Sequence, residues 1–213
     1  ARRLMSHELC HLWWGDLLTL KTQADMWIKE GNAEYGSHLF EEYLAGRSSF
    51  EKLITDSRLE VIKNAHIDDG RYLPLSPMPK DITYGTTTYK KGAMVMHSLR
   101  GYLGDDLFRT AQQKVLKDYA YSNLTANTYR DALSAASGID LTDFFNRWVF
   151  DIGFYDFSIQ DFHALEFSIN THEITIKQKL LKSNGFLKDA PVSITFVDQD
   201  NKLITQKVLC TGE

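Results

Sequence analysis

From Arg2 to Trp14 the apolar side chains Leu4, Met5, Leu9, Leu12 and Trp13 recur at helical spacing, and Gly15 is the expected stop. A short β-rich piece, Asp16 to Thr22, follows. Asp25 is then in place to cap a helix running through Trp27, Ile28, Ala33, Tyr35, Leu39, Phe40 and Leu44 toward Gly46. Ser48 or Ser49 opens another helix with Phe50, Leu53, Ile54, Leu59 and Ile62, fading at Asp68-Asp69-Gly70. Pro74, Pro77 and Pro79 fall between Leu73 and Lys80 and predict an ordered surface loop. Helical spacing returns from about Thr86 to Leu103, ends at Gly104, and recurs to Tyr119, over Asn127–Ala136 and over Leu141–Phe150.

Near Gly153 the period changes from helical to alternating: Leu165, Phe167 and Ile169, then Ile174 and Ile176, then Val192, Ile194 and Phe196. Asn170-Thr171-His172 and Asp198-Gln199-Asp200-Asn201 are polar enough for hairpin turns. The expected class is α+β, with a mainly helical domain over 1–155 and an antiparallel β-module over 156–213. Roughly four short strands are fewer than a stable sandwich needs.

Composition narrows the function classes. An apolar share of 43% in 213 residues fills a core. A formal charge of -4, with 24 basic and 28 acidic residues, offers no basic field for nucleic acid and no polybasic membrane anchor. No apolar run is long enough to span a bilayer. Two cysteines, Cys10 and Cys210, make no disulfide framework and leave the compartment open. The candidate metal helix begins at or near residue 1, so the chain is expected to be an excised fragment of a larger protein.

The chemistry lies in His7-Glu8-Leu9-Cys10-His11 and in Glu30, separated from His11 by eighteen intervening residues. On a helix, residues four apart share a face, so His7 and His11 can offer ring nitrogens to one tetrahedral ion, with Glu8 beside them. The return of the chain as a second helix lets Glu30 face that stripe as third ligand. Three protein ligands leave a fourth position for water, which is the pattern of a catalytic zinc. Glu8 follows the first ligand and is the expected general base. Cys10 points away from the His7/His11 face and is read as packing. Asp25 and Glu34 are available to orient the histidines but are equally explained as a cap and an exposed face. Neither His38, His66, His97, His163 nor His172 has ligand spacing. No Gly-rich phosphate loop or Gly-x-Ser-x-Gly elbow occurs.

The stretch HELCHLWWGDLLTLKTQADMWIKEGNAEYGSHLFEEY resembles the zinc core of the gluzincin aminopeptidases, the aminopeptidase N and leukotriene hydrolase family, whose pattern is H-E-x-x-H-x18-E. Trp14-Gly15 and Trp27-Ile28-Lys29-Glu30-Gly31-Asn32-Ala33 stand where the family has W-G and W-L-N-E-G-x-A, with Lys29 in place of the usual asparagine. Tyr89 in Thr88-Tyr89-Lys90-Lys91-Gly92-Ala93 matches the family's Y-x-K-G-A, and the resemblance gives it the role of hydrogen-bonding the oxyanion, with Tyr84 as fallback. Phe144-Phe145-Asn146-Arg147-Trp148-Val149 is similar to the end of the family's catalytic domain.

The resemblance implies a thermolysin-like helical subdomain, the start of a β-sandwich, one Zn2+ ion, and peptide substrates with a free N-terminus. The family's G-x-M-E-N segment, which holds the substrate's amine, would precede Ala1. Two alternatives stand beside the aminopeptidase reading. One is an endopeptidase-like zinc hydrolase sharing only the core, and the other is a non-catalytic scaffold that kept the motif.

Overall fold

A computed structural model describes residues 1–164 and 171–212. It is about half helical with small sheets, an α+β chain that divides into Ala1–Ile152 and Gly153–Glu213. The first unit holds α1 (Arg2–Cys10), β1 (Thr19–Leu20), α2 (Trp27–Asp68), α3 (Gly92–Leu103), α4 (Asp105–Asp118), β2 (Asn123–Leu124), α5 (Ala126–Ser137) and α6 (Thr142–Trp148). Among the described residues no helix is long and apolar enough to cross a membrane.

Tandem helical periods with glycine and Asx punctuation account for most of these elements. The 42-residue α2 is two helices meeting at Gly46, whose φ of 81° and ψ of 173° interrupt the run between the two periodic stretches. α5 opens with Thr125, whose hydroxyl accepts the Thr128 amide at 3.2 Å. Its Tyr129 packs with Trp14, Trp27 and Phe145 in an aromatic core that also takes in Leu18, Leu124, Leu133 and Phe144. That core is laid down chiefly by residues beyond the metal motif and fixes the start of α2 from beneath.

Two local expectations are corrected. α1 ends at Cys10, five residues short of Gly15; His11 follows as its cap with φ −63° and ψ −20°, and residues 11–13 turn tightly. Asp25 does not cap α2. A short 3-10 turn, Gln23–Asp25, runs straight into the helix through Met26 in αR conformation, so Asp25 never adopts the extended geometry a cap requires. Its buried carboxylate instead accepts the Ser76 hydroxyl at 2.7 Å and the Ala126 amide at 3.1 Å. The same proline loop is pinned where Leu75 and Ser76 donate to the Val149 carbonyl and Met78 donates to that of Ala24.

The apolar stripe of α1 also lies differently from its amphipathic pattern. Leu4, Met5 and Leu9 are exposed, while Ser6 and His7 are buried. Ion pairs accompany this orientation: Arg2 holds Glu41 of α2 by two bonds of 2.9 and 2.7 Å, and Arg3 reaches Glu34 at 3.1 Å.

Where α2 meets the first residue of α3, backbones touch. A Cβ on Gly31 would lie 2.9 Å from the Gly92 Cα and 3.0 Å from its carbonyl carbon, atoms that cannot rotate away. Gly31→Ala should therefore lower stability by about 1–3 kcal/mol through overpacking, partly offset by the about 1 kcal/mol that alanine gains in a helix interior. A denaturant titration showing the variant as stable as the parent chain would contradict this contact.

The second unit is two antiparallel hairpins, β3 (Phe154–Ala164) with β4 (His172–Leu181) and β5 (Ala190–Val197) with β6 (Leu203–Cys210), each its own two-stranded sheet. The Gln178 side chain of β4 both donates to and accepts from the Leu187 backbone. The Asp198–Asn201 turn closes the second hairpin: Asp198 Oδ1 accepts the Asp200 and Lys202 amides, and Asn201 sits at φ 60°. The expected alternation at Leu165, Phe167 and Ile169, and Asn170 of the first turn, lie outside the described residues.

Candidate metal centre

His7 and His11 reach one locus although the helix stops between them. His11 keeps αR dihedrals one residue past the end of α1, so the four-residue spacing still brings the two rings together, edge to face with centroids 4.8 Å apart. Glu30, in the first turn of α2, is buried against both. Its Oε2 lies 3.4 Å from His7 Nε2 and 3.3 Å from His11 Nε2. Among the described residues these three side chains form the group able to hold a metal ion, with ligand atoms all within 4.8 Å of one another.

The far nitrogen of each ring is already occupied. His7 Nδ1 donates to Glu34 Oε2 at 3.1 Å, and His11 Nδ1 donates to the Trp14 carbonyl at 3.0 Å. Since a carboxylate and a carbonyl can only accept, each Nδ1 carries a proton, which leaves each Nε2 facing Glu30 as the nitrogen able to bind a metal once it is deprotonated. Glu34, left unassigned by sequence, thus has a definite place. Its other oxygen accepts from Arg3 at 3.1 Å and lies 3.5 Å from the buried His38 Nε2. The spacing Glu30-x-x-x-Glu34 carried the signal, because residues four apart on α2 face α1 together.

Metal-free electrostatics follow from this crowding. Burial opposes a charge on His7, but the Glu30 and Glu34 carboxylates override it and hold its pKa up at about 9. Burial likewise pushes the Glu30 carboxyl up, yet His7, His11 and Lys29 keep it below its ordinary value.

Tyr89 approaches from a third element. Its ring lies roughly parallel to that of His7, with centroids 6.0 Å apart, and burial together with Glu30 pushes its phenol up to about 12. The segment that carries it, Thr87–Lys91, is a π-helical turn leading into α3. Two residues given no role from the sequence anchor this turn. Asp69, at the end of α2, accepts the Thr86 and Thr87 amides at 2.9 and 2.7 Å. The buried Lys91 donates to the Leu73 carbonyl at 3.2 Å, and burial lowers its pKa to about 8.

His7, Glu8, His11, Lys29, Glu30, Glu34 and Tyr89 border one open cavity of about 550 Å3. Glu8 is exposed there and contributes no atom to the three-ligand group. Tyr84, the fallback, is largely exposed and does not line the cavity. Cys10 is turned toward Gly36 of α2, where burial raises its thiol pKa.

Comparison with known proteins decides the family. The profile described as Peptidase family M1 domain matches residues 1–148. The chain belongs to the M1 peptidase family. It is 29% identical over 199 residues to "Probable aminopeptidase 2" of Sulfurisphaera tokodaii, covering 85% of this chain and 23% of that protein. Rabbit (Oryctolagus cuniculus) aminopeptidase N is 28% identical over 166 residues, covering 71% and 17% respectively. In fold, this M1 chain is similar to a two-domain M1 zinc metallopeptidase with bound L-tryptophan, at a TM-score of 0.63 and 23% identity over 70% of this chain and 33% of that one. The M1 chain spans between 17% and 25% of the length of these and other curated relatives.

Proposed function

We propose that the protein containing this M1 chain is a zinc-dependent aminopeptidase, with one Zn2+ held by His7 Nε2, His11 Nε2 and Glu30 Oε2. The carrying observation is the pair of 3.3 and 3.4 Å separations between Glu30 Oε2 and the Nε2 atoms of His11 and His7. Zinc bonds of about 2.0–2.1 Å put neighbouring corners of a tetrahedron about 3.3–3.4 Å apart, so the donors already stand at ligand spacing. Family membership and the relatives' names support the same reading.

Zinc in such a site supplies a Lewis acid and lowers the pKa of water. Glu8, free of ligation and facing the cavity, takes a proton from the attacking water as its oxygen bonds to the scissile carbonyl carbon. The Tyr89 hydroxyl donates to the carbonyl oxygen as that atom gains negative charge. As the C–N bond breaks, Glu8 passes its proton to the departing amine. The high phenol pKa suits this work, since Tyr89 stays protonated throughout the neutral range. Glu34 and the Trp14 carbonyl hold the imidazoles in the tautomer that leaves Nε2 free.

The unit Ala1–Ile152 is read as the helical part of a thermolysin-like subdomain, and the two hairpins as the start of a β-sandwich. Domain limits of 1–155 and 156–213 follow from that reading. Peptides with a free N-terminus are the protein's substrates in this reading. The full-length protein should release the first residue of peptides with a free N-terminus and leave N-acetylated counterparts uncut. Cleavage of both at similar rates would make it an endopeptidase instead, and cleavage of neither, with zinc bound, would favour a scaffold.

A further inference from the structure

The two oxygens of Glu30 have different surroundings. Oε2 faces both imidazoles, whereas Oε1 lies 3.6 Å from the Lys29 ammonium. That separation is too long for a hydrogen bond and short enough for a direct ion pair, and Glu30 is almost wholly buried, so little water screens it. The Lys29 stem is guided into place. It passes over Gly15 in the turn after His11, where a Cβ would stand 3.1 Å from Lys29 Cε, 3.5 Å from its Cδ and 3.2 Å from the His11 carbonyl oxygen. The chain that presents His11 therefore also leaves the channel along which Lys29 reaches Glu30. Arg3, the other cation at the cavity, is committed to Glu34.

A carboxylate beside a dication can bind through one oxygen or chelate through both. Chelation by Glu30 would fill the position that water and a substrate carbonyl need. We propose that Lys29 is a positioning residue that holds Glu30 Oε1 off the metal, keeping the carboxylate monodentate and one coordination position open. This rests on the metal-site reading above and adds to it the reason a lysine stands next to the third ligand.

The test uses full-length protein with cobalt(II) in place of zinc. The parent should show the strong visible absorption of four-coordinate cobalt. Lys29→Met, which keeps the stem and loses the charge, should show the weaker bands of higher coordination while holding zinc at least as tightly in chelator competition. Its kcat should fall about tenfold to a hundredfold, the usual effect of losing a group that orients a ligand. Lys29→Arg should restore spectrum and kcat; Lys29→Gln serves as a second neutral variant should Lys29→Met fold poorly. A parent-like cobalt spectrum in both neutral variants overturns the proposal, as does a matched loss of zinc affinity, which a merely structural lysine would produce. Absence of metal from the parent protein would instead overturn the site itself, and this proposal with it.

Discussion

Full-length protein carrying Glu8→Gln should bind zinc as the parent does and turn over peptide about 10²–10⁴ times more slowly, the range expected when a positioned proton acceptor is lost. Both halves follow from where Glu8 sits. It is exposed on α1 and lines the cavity, so the nearly isosteric amide disturbs no packing. It is also outside the group His7, His11 and Glu30, so no ligand atom is removed. What changes is basicity alone: an amide oxygen cannot hold the proton of water at neutral pH or return it to a leaving amine. The measurement is kcat/KM on a free-amine peptide beside zinc content by elemental analysis. Undiminished turnover would remove Glu8 from the general-base role, whereas loss of zinc together with activity would mean that Glu8 supports the metal.

How much of this was legible in the sequence depends on the range of the interaction. His7 and His11 are four apart, and local helical geometry brings them together even though α1 ends at Cys10. Glu30 was legible because the period returns as a second helix at a fixed distance along the chain. Tyr89 could be placed only through resemblance to a family, since a π-helical turn has no distinctive pattern and depends on Asp69 and Lys91 to hold it. Lys29 was visible merely as a departure from that family's pattern.

The failures are of the opposite kind. Asp25 has the chemistry of a cap, but its carboxylate is used by donors 51 and 101 residues away, a choice made by tertiary contacts that local propensity does not encode. The apolar stripe of α1 predicted a helix, yet Leu4, Met5 and Leu9 are exposed and the face carrying His7 is the one that meets α2. Arg2, Arg3 and His7 instead pair with Glu41, Glu34 and Glu30 across the side that meets α2. Charge pairing across 31 or 39 residues leaves no periodic trace.

Removing the third ligand should have the other large effect. Glu30→Ala is expected to bring zinc from about one ion per chain to near none after dialysis, because two imidazoles alone hold the metal weakly. The consequence reaches His7. In the metal-free parent, Glu30 and Glu34 hold His7 protonated up to about pH 9, well above the ordinary 6.5. A raised folded-state pKa stabilises the metal-free fold fully below pH 6.5, and that contribution disappears as pH rises through 9. Zinc requires the neutral ring, so binding expels this proton. The parent's zinc affinity should therefore climb about tenfold per pH unit toward pH 9 and level off above it. Glu30→Ala takes away one of the two carboxylates that oppose burial, so the leveling point of whatever affinity remains should move to lower pH. Circular dichroism like the parent's would establish that the variant is folded. A folded Glu30→Ala protein retaining a full equivalent of zinc would exclude Glu30 as a ligand, and a parent affinity flat across neutral pH would mean that His7 does not carry the proton the two carboxylates impose on it.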